Sequence, residues 1–125
     1  MILGIGVDIV ENKRIELAVE RYGERLLRRV YTDDERAYCM GKAKPNGCLA
    51  ARFAAKEAFI KASAGLNLGH LRDIEVIRNE HGMPMIKLHG RAKEFMAKNE
   101  PFKTHLSITH EKEYSVAMAV IEQVI

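Results

Sequence analysis

Leu49-Ala-Ala-Arg-Phe-Ala-Ala-Lys-Glu-Ala-Phe-Ile-Lys-Ala-Ser63 decides how this chain folds. Pro45-Asn46-Gly47 precedes it and Gly65 follows, so it reads as one long helix. At about 100° per residue, Ala51, Ala54, Ala55, Ala58 and Ala62 share a broad face of small side chains. Such a face lets a helix sit close to a sheet or to another helix. Phe53 and Ile60 point elsewhere, so apolar groups lie nearly all round, the pattern of a buried helix. Yet the stretch carries four charges. Glu57 and Lys61 lie one turn apart on one stripe, Arg52 and Lys56 on another. The plain reading is a Glu–Lys pair at i, i+4 with two bases reaching to solvent along their aliphatic stems. The sharper reading is that these charges bind something, because a buried charge is costly unless it is paired or liganded.

Working outward, residues 2–10 are β-branched and short and read as a strand entering the core. Gly4-Ile-Gly6 resembles part of a dinucleotide fingerprint, but Ile9 stands where its third glycine belongs, and the acidic residue follows too soon. Glycines in a strand instead allow another backbone or a ligand to come close. Asp8 stands near the end of this strand, where folding alone does not require an acid. Its plain roles are a helix cap or a partner for a nearby Arg. Residues 12–22 read as a helix stopped by Gly23, and residues 24–30 as a second short helix. Thr32-Asp-Asp-Glu35 is a capping box that opens a helix running to about Met40. Residues 42–47 form a basic loop ahead of the long helix.

Beyond that helix, residues 65–71 are a loop. Residues 74–77 and 85–88 form a hairpin around the turn Asn79-Glu-His-Gly82. Residues 91–99 are a short amphipathic helix using Ala92, Phe95 and Met96, stopped by Pro101. Residues 104–109 alternate, with His105, Ser107 and Thr109 on one face and Leu106 and Ile108 on the other. Residues 114–121 are the last strand. The expected class is α+β, a single domain over residues 1–125 with a largely antiparallel sheet packed on a long central helix.

Composition narrows the function. A chain of 125 residues with 47% hydrophobic and 30% charged residues fits one soluble globular domain. The net charge of +3 is modest, but its placement is not. Residues 13–29 hold six bases against three acids, which equals the excess of the whole chain. That segment reads either as a solvated face or as a docking surface for an acidic partner. Nucleic acid is disfavoured, since no aromatic stacking pattern accompanies the bases. Cys39 and Cys48 match no zinc or redox spacing and are expected to be reduced structural thiols. No basic leader and no apolar run long enough to span a membrane are found, so the expected location is the cytoplasm, with no membrane partner.

Asp8 and Glu57 are isolated carboxylates in apolar settings on separate elements. If the first strand packs on the long helix, they converge. Two carboxylates with open water positions suit Mg²⁺, which is commonly held by one or two carboxylates and by substrate phosphates. Lys61, Arg52 and Lys56 lie close along the same helix, and a metal among bases points to a polyphosphate substrate. Ser107, Thr109 and His110 add donors from a strand. No Walker loop is present, zinc lacks a ligand set, and Ser107 lacks a nucleophile-elbow context. A non-catalytic module binding an acidic protein and a magnesium-dependent phosphohydrolase remain as alternatives from these residues alone.

Gly4-Ile-Gly-Val-Asp-Ile-Val10 with Arg14-Ile15, then Phe53-Ala-Ala-Lys-Glu-Ala58 with Lys61-Ala62, then Ser107-Ile-Thr-His110 together resemble the 4′-phosphopantetheinyl transferase superfamily. Length and motif order are similar to its small bacterial holo-acyl-carrier-protein synthases, and the resemblance spans essentially the whole chain. Thr109 stands where the family commonly carries a second serine and retains the hydroxyl. The resemblance implies transfer of phosphopantetheine from coenzyme A to a serine of apo-acyl carrier protein, in support of fatty acid biosynthesis. It implies Asp8 and Glu57 as ligands of Mg²⁺, with Lys61 as the third catalytic residue. Lys42, Lys44, Arg52, Lys56, Lys61, Gly82, Pro84, Thr109 and His110 are the implied coenzyme contacts. Arg14, Arg21, Arg25 and Arg28 would meet the acidic carrier protein. A homotrimer with sites shared between neighbours is implied as well.

Overall fold

The computed structural model describes residues 1–124. The chain runs β1 (Ile2–Glu11), α1 (Asn12–Tyr22), α2 (Glu24–Val30), α3 (Asp33–Met40) and α4 (Pro45–Ala62), then β2 (Ile74–Arg78) and β3 (Pro84–Leu88). It ends with α5 (Gly90–Met96), β4 (Phe102–His110) and β5 (Tyr114–Gln123). The expected α+β class holds. One antiparallel sheet has the order β1-β5-β4, and β2-β3 form a separate antiparallel hairpin.

α4 lies against the inner face of the three-stranded sheet and is the centre of the core. Leu49, Ala50, Ala54, Ala55, Ala58 and Phe59 are wholly buried along it. Its small-residue face has a counterpart in β1. A Cβ on Gly4 would lie 1.8 Å from the Ala62 carbonyl oxygen, and one on Gly6 would lie 1.9 Å from that of Ala58. Only glycine permits this approach. The GxG of β1 is therefore a packing device, as a strand glycine pair suggests.

Local signals place most boundaries. The Thr32 hydroxyl accepts from Glu35 N–H at 3.2 Å while Glu35 Oε1 accepts from Thr32 N–H at 2.9 Å, the capping box read from the sequence. α4 begins one turn earlier than the sequence suggests, because Pro45 takes the first helical turn, where its missing N–H costs nothing. The loop after α4 contains a 3₁₀ turn, Leu68–Asp73.

Two expectations are overturned. Cys39 and Cys48 are not free thiols; they form a disulfide across 5.3 Å between Cα atoms. The turn from α3 into α4 folds the chain back on itself and brings residues nine apart within bridging reach. Lys56, expected to reach solvent or coenzyme, is completely buried. Its ammonium donates to Glu35 Oε1 at 2.7 Å, Leu71 O at 2.9 Å and Ile74 O at 2.6 Å. All three donors are used inside the protein, so none is left for a phosphate.

The other face of the sheet is apolar and exposed along β1 and β5. Ile5, Val7 and Ile9 of β1 stand opposite Val120, Met118 and Val116 of β5. Each of the three β1 residues is more than half exposed, and Met118 is 44% exposed.

Candidate active site

The close packing of β1 on α4 sets the site. Asp8 follows Gly6 by two residues and so points to the same side of the strand, toward α4. Glu57 lies one residue before Ala58, the residue whose carbonyl meets Gly6. Asp8 and Glu57 therefore line one cleft of about 350 Å³, together with Arg14 and apolar side chains including Ile15, Leu26 and Phe53. Convergence of the two carboxylates, conditional in the sequence, is realised.

Lys61 does not pair with Glu57 as its i, i+4 spacing suggests. Its ammonium donates to Asp8 Oδ1 at 3.0 Å and to Val7 O at 3.0 Å. Glu57 is pushed up to about 7 by burial and by the neighbouring Asp8, with Lys61 and Arg14 acting in the opposite direction. The Asp8 side chain is only 11% exposed, and its Oδ2 is buried with no hydrogen-bond partner. A buried carboxylate oxygen without a partner, beside a second carboxylate held partly protonated, is a hard-oxygen donor set whose chemistry fits a divalent cation. Among the described residues no group of three or more His, Cys, Asp or Glu could hold a metal. A cation here would have Asp8 and Glu57 as its protein ligands and would take the rest from water or substrate. That suits Mg²⁺ and its preference for substrate phosphates.

A second, larger hollow of about 780 Å³ lies on the opposite side of α1. Lys42, Lys44, Arg52, Arg78, His110 and Lys112 line it, against the two acids Glu16 and Glu111. Arg52 is nearly buried; its Nη1 reaches only the Cys48 Sγ at 3.2 Å, and its Nε has no partner. Burial lowers the Arg52 pKa from its ordinary value. α4 thus contributes Arg52 to the basic hollow and Glu57, a turn and a half further on, to the acidic cleft.

The remaining expected contacts are spread. Thr109 is exposed on the outer face of β4 and His110, next to it, lines the basic hollow. Gly82 and Pro84 do not line it, but the Gly82 carbonyl accepts from Arg78 at 2.7 Å. Arg14, Arg21, Arg25 and Arg28 are all exposed on α1 and α2, and Arg14 reaches the acidic cleft. Arg78 and Lys112 went unread in the sequence. Arg78 ends β2 and Lys112 lies in the turn between β4 and β5, and at such places a single base carries no periodic signal.

A model of the 4′-phosphopantetheinyl transferase superfamily matches residues 4–119. The holo-[acyl-carrier-protein] synthase of Halothermothrix orenii is 44% identical over 98% of this chain and 99% of its own. The crystal structure of the holo-[acyl-carrier-protein] synthase from Neisseria meningitidis superposes with a TM-score of 0.88 at 31% identity, covering 98% of this chain and 99% of that one. The Bacillus anthracis enzyme, in complex with coenzyme A (3′,5′-ADP), superposes with a TM-score of 0.79 at 34% identity over 99% of both chains.

Proposed function

The chain belongs to the 4′-phosphopantetheinyl transferase superfamily, and from that premise we propose that it is a Mg²⁺-dependent holo-acyl-carrier-protein synthase. It moves the 4′-phosphopantetheine group of coenzyme A onto a serine hydroxyl of an apo-acyl carrier protein and releases adenosine 3′,5′-bisphosphate. The observation that carries the reading is the pairing of the orphaned Asp8 Oδ2 with the raised Glu57 carboxyl, alongside a basic hollow large enough for a nucleotide.

The serine oxygen forms a bond to the β-phosphorus as the bond to the leaving phosphate oxygen breaks. The electron pair stays on adenosine 3′,5′-bisphosphate, and the serine proton passes to a base in the cleft. Asp8 and Glu57 would hold Mg²⁺, which supplies charge neutralisation on the pyrophosphate oxygens. Lys61, already fixed on Asp8, places its charge where the leaving oxygen develops its own. Lys42, Lys44 and Arg52 bind the other phosphates of the coenzyme. The exposed Arg14, Arg21, Arg25 and Arg28 steer and seat the acidic carrier. Arg14, which lines the acidic cleft, connects that docking face to the reacting centre. Positioning and electrostatics are what phosphoryl transfer of this kind asks of a protein.

The exposed apolar face of β1 and β5 supports a homotrimer with shared sites. Val7 and Ile9 lie on that face, before and after the inward-pointing Asp8, and Ile9 also lines the cleft, so a neighbouring subunit covering them reaches its edge. The proposed setting is the cytoplasm and fatty acid biosynthesis; no helix among the described residues is long and apolar enough to cross a membrane.

Intact-mass spectrometry tests the reading. Apo-acyl carrier protein incubated with this protein, coenzyme A and Mg²⁺ gains one phosphopantetheine, and EDTA prevents the gain. Asp8→Ala and Glu57→Ala abolish it with the fold intact. Full turnover by either variant at saturating Mg²⁺ removes the metal assignment. A carrier that gains no mass from the wild type removes the reaction.

A further inference from the structure

The reading above uses Lys42 and Arg52 as phosphate cations but leaves open what holds them in place. The surface between α3 and β2 answers that. Tyr38 projects from α3 and is 40% exposed. The Arg52 guanidinium lies 4.4 Å from the centroid of its ring, the Lys42 ammonium 4.5 Å and the Arg78 guanidinium 5.9 Å. These cations come from α4, from the loop after α3 and from the end of β2, so three separate elements meet on one aromatic ring.

Three like charges around one side chain repel, and none of them has a carboxylate within ion-pairing distance. Among the described residues none of Lys42, Arg52 and Arg78 makes an ion pair. Arg52 is 5% exposed and keeps an unpartnered Nε at the wall of the basic hollow. The negative face of the tyrosine ring is what the structure offers them in place of an acid.

The surroundings make the arrangement rigid. Cys39, the residue after Tyr38, is bonded to Cys48, whose sulfur contacts Arg52. That covalent tie holds the end of α3 against the start of α4. Arg78 is held from the other side by its bond to the Gly82 carbonyl. A cup of three cations, none of them in an ion pair, suits a doubly charged phosphate monoester better than a singly charged diester. Coenzyme A carries one such monoester, on the 3′ position of its ribose.

We infer that Tyr38 is a positioning residue: its ring gathers Lys42, Arg52 and Arg78 into a cup for the 3′-phosphate monoester of the coenzyme, and so sets selectivity against coenzymes that lack it. The inference rests on the proposed use of coenzyme A and adds to it a residue that makes no catalytic contact. The side chain is exposed, so its replacement leaves the core intact.

The test compares wild type, Tyr38→Phe and Tyr38→Leu with coenzyme A and with dephospho-coenzyme A, which lacks the 3′-phosphate. Tyr38→Leu raises KM for coenzyme A about 10-fold with kcat unchanged. It leaves KM for dephospho-coenzyme A where it was, and Tyr38→Phe, which keeps the ring, restores the wild-type KM. An unchanged KM for coenzyme A in Tyr38→Leu overturns the inference. So does an equal rise for both coenzymes, or a Phe variant as impaired as the Leu variant. Calorimetric titration with adenosine 3′,5′-bisphosphate and adenosine 5′-monophosphate reads the cup without any transfer. A wild type that prefers the bisphosphate and loses that preference in Tyr38→Leu upholds the cup even where no carrier is modified. A wild type that binds both alike overturns the cup even where transfer proceeds.

Discussion

Replacing Gly6 by alanine probes the contact on which both core and site depend. A Cβ at Gly6 would lie 1.9 Å from the Ala58 carbonyl oxygen and 2.9 Å from both the Ala58 carbonyl carbon and Ala62 N. Those are backbone atoms of a buried helix and cannot swing aside. Relief to an ordinary contact needs β1 and α4 to separate by on the order of 1 Å, a gap that forfeits a quarter to a half of each dispersion contact across it. Overpacking of this kind typically costs about 1–3 kcal/mol, and a clash with backbone belongs at the upper end. Alanine recovers about 0.4–1 kcal/mol by restricting the unfolded chain. The net loss is therefore about 2–3 kcal/mol, a fall in Tm of about 10 °C for a domain of this size. Thermal and urea unfolding followed by circular dichroism measure it. Gly47 is the control, since nothing lies within 4 Å of a Cβ there and the residue sits in the first turn of α4. Gly47→Ala gains up to about 1 kcal/mol. The same displacement moves Asp8 relative to Glu57, so turnover of Gly6→Ala falls about 100-fold beyond any loss of folded protein. A Gly6→Ala protein with wild-type Tm and wild-type turnover would refute the argument that this contact sets the carboxylate pair.

Three further outcomes follow from the structure. Lys56→Met leaves Glu35 charged and buried without its partner and costs about 3–5 kcal/mol in urea unfolding; unchanged stability with a raised KM for coenzyme A would instead make Lys56 a ligand of the coenzyme. Reducing the Cys39–Cys48 bond lowers stability by about 2–3 kcal/mol, as expected for so short a loop, and Cys39→Ser abolishes the response to reductant; a Tm indifferent to dithiothreitol in the wild type sinks this. Glu57, raised from 4.5 to about 7, stays protonated in the folded metal-free protein where the unfolded chain has already lost that proton. Its contribution is full below about pH 4.5 and is lost as pH rises through about 7. Discounted for its solvent exposure it is worth about 1–2 kcal/mol. Glu57→Gln removes that slope and Mg²⁺ offsets it at pH 8; a wild type whose stability relative to Glu57→Gln rises over this range contradicts the assignment.

Much of this was legible in the chain. The alternating residues of β4, the capping box at Thr32 and the glycine after α1 are local signals, and local structure followed them. The alanine face of α4 announced close packing, and the glycines of β1 announced where it occurs. Asp8 and Glu57 were conspicuous because each is an acid in apolar surroundings. The charge partners were not legible. Lys61 reads as the i+4 partner of Glu57 and instead binds Asp8, fifty-three residues away. Lys56 reads as a surface base and instead closes the core with Glu35. Cys39 and Cys48 read as separate thiols and are joined. Tyr38 carries no signal until Arg52 and Arg78 arrive on its ring from α4 and β2.

The division has one physical cause. Periodicity, caps and glycines act within a few residues of backbone, so the order of neighbours along the chain specifies them. A long charged side chain reaches several ångströms in any direction and takes the strongest partner that the folded chain places there. That choice belongs to the tertiary structure, because the partners lie on separate elements, β1 for Lys61, α3 for Lys56 and β2 for the ring of Tyr38, that meet only in the folded chain.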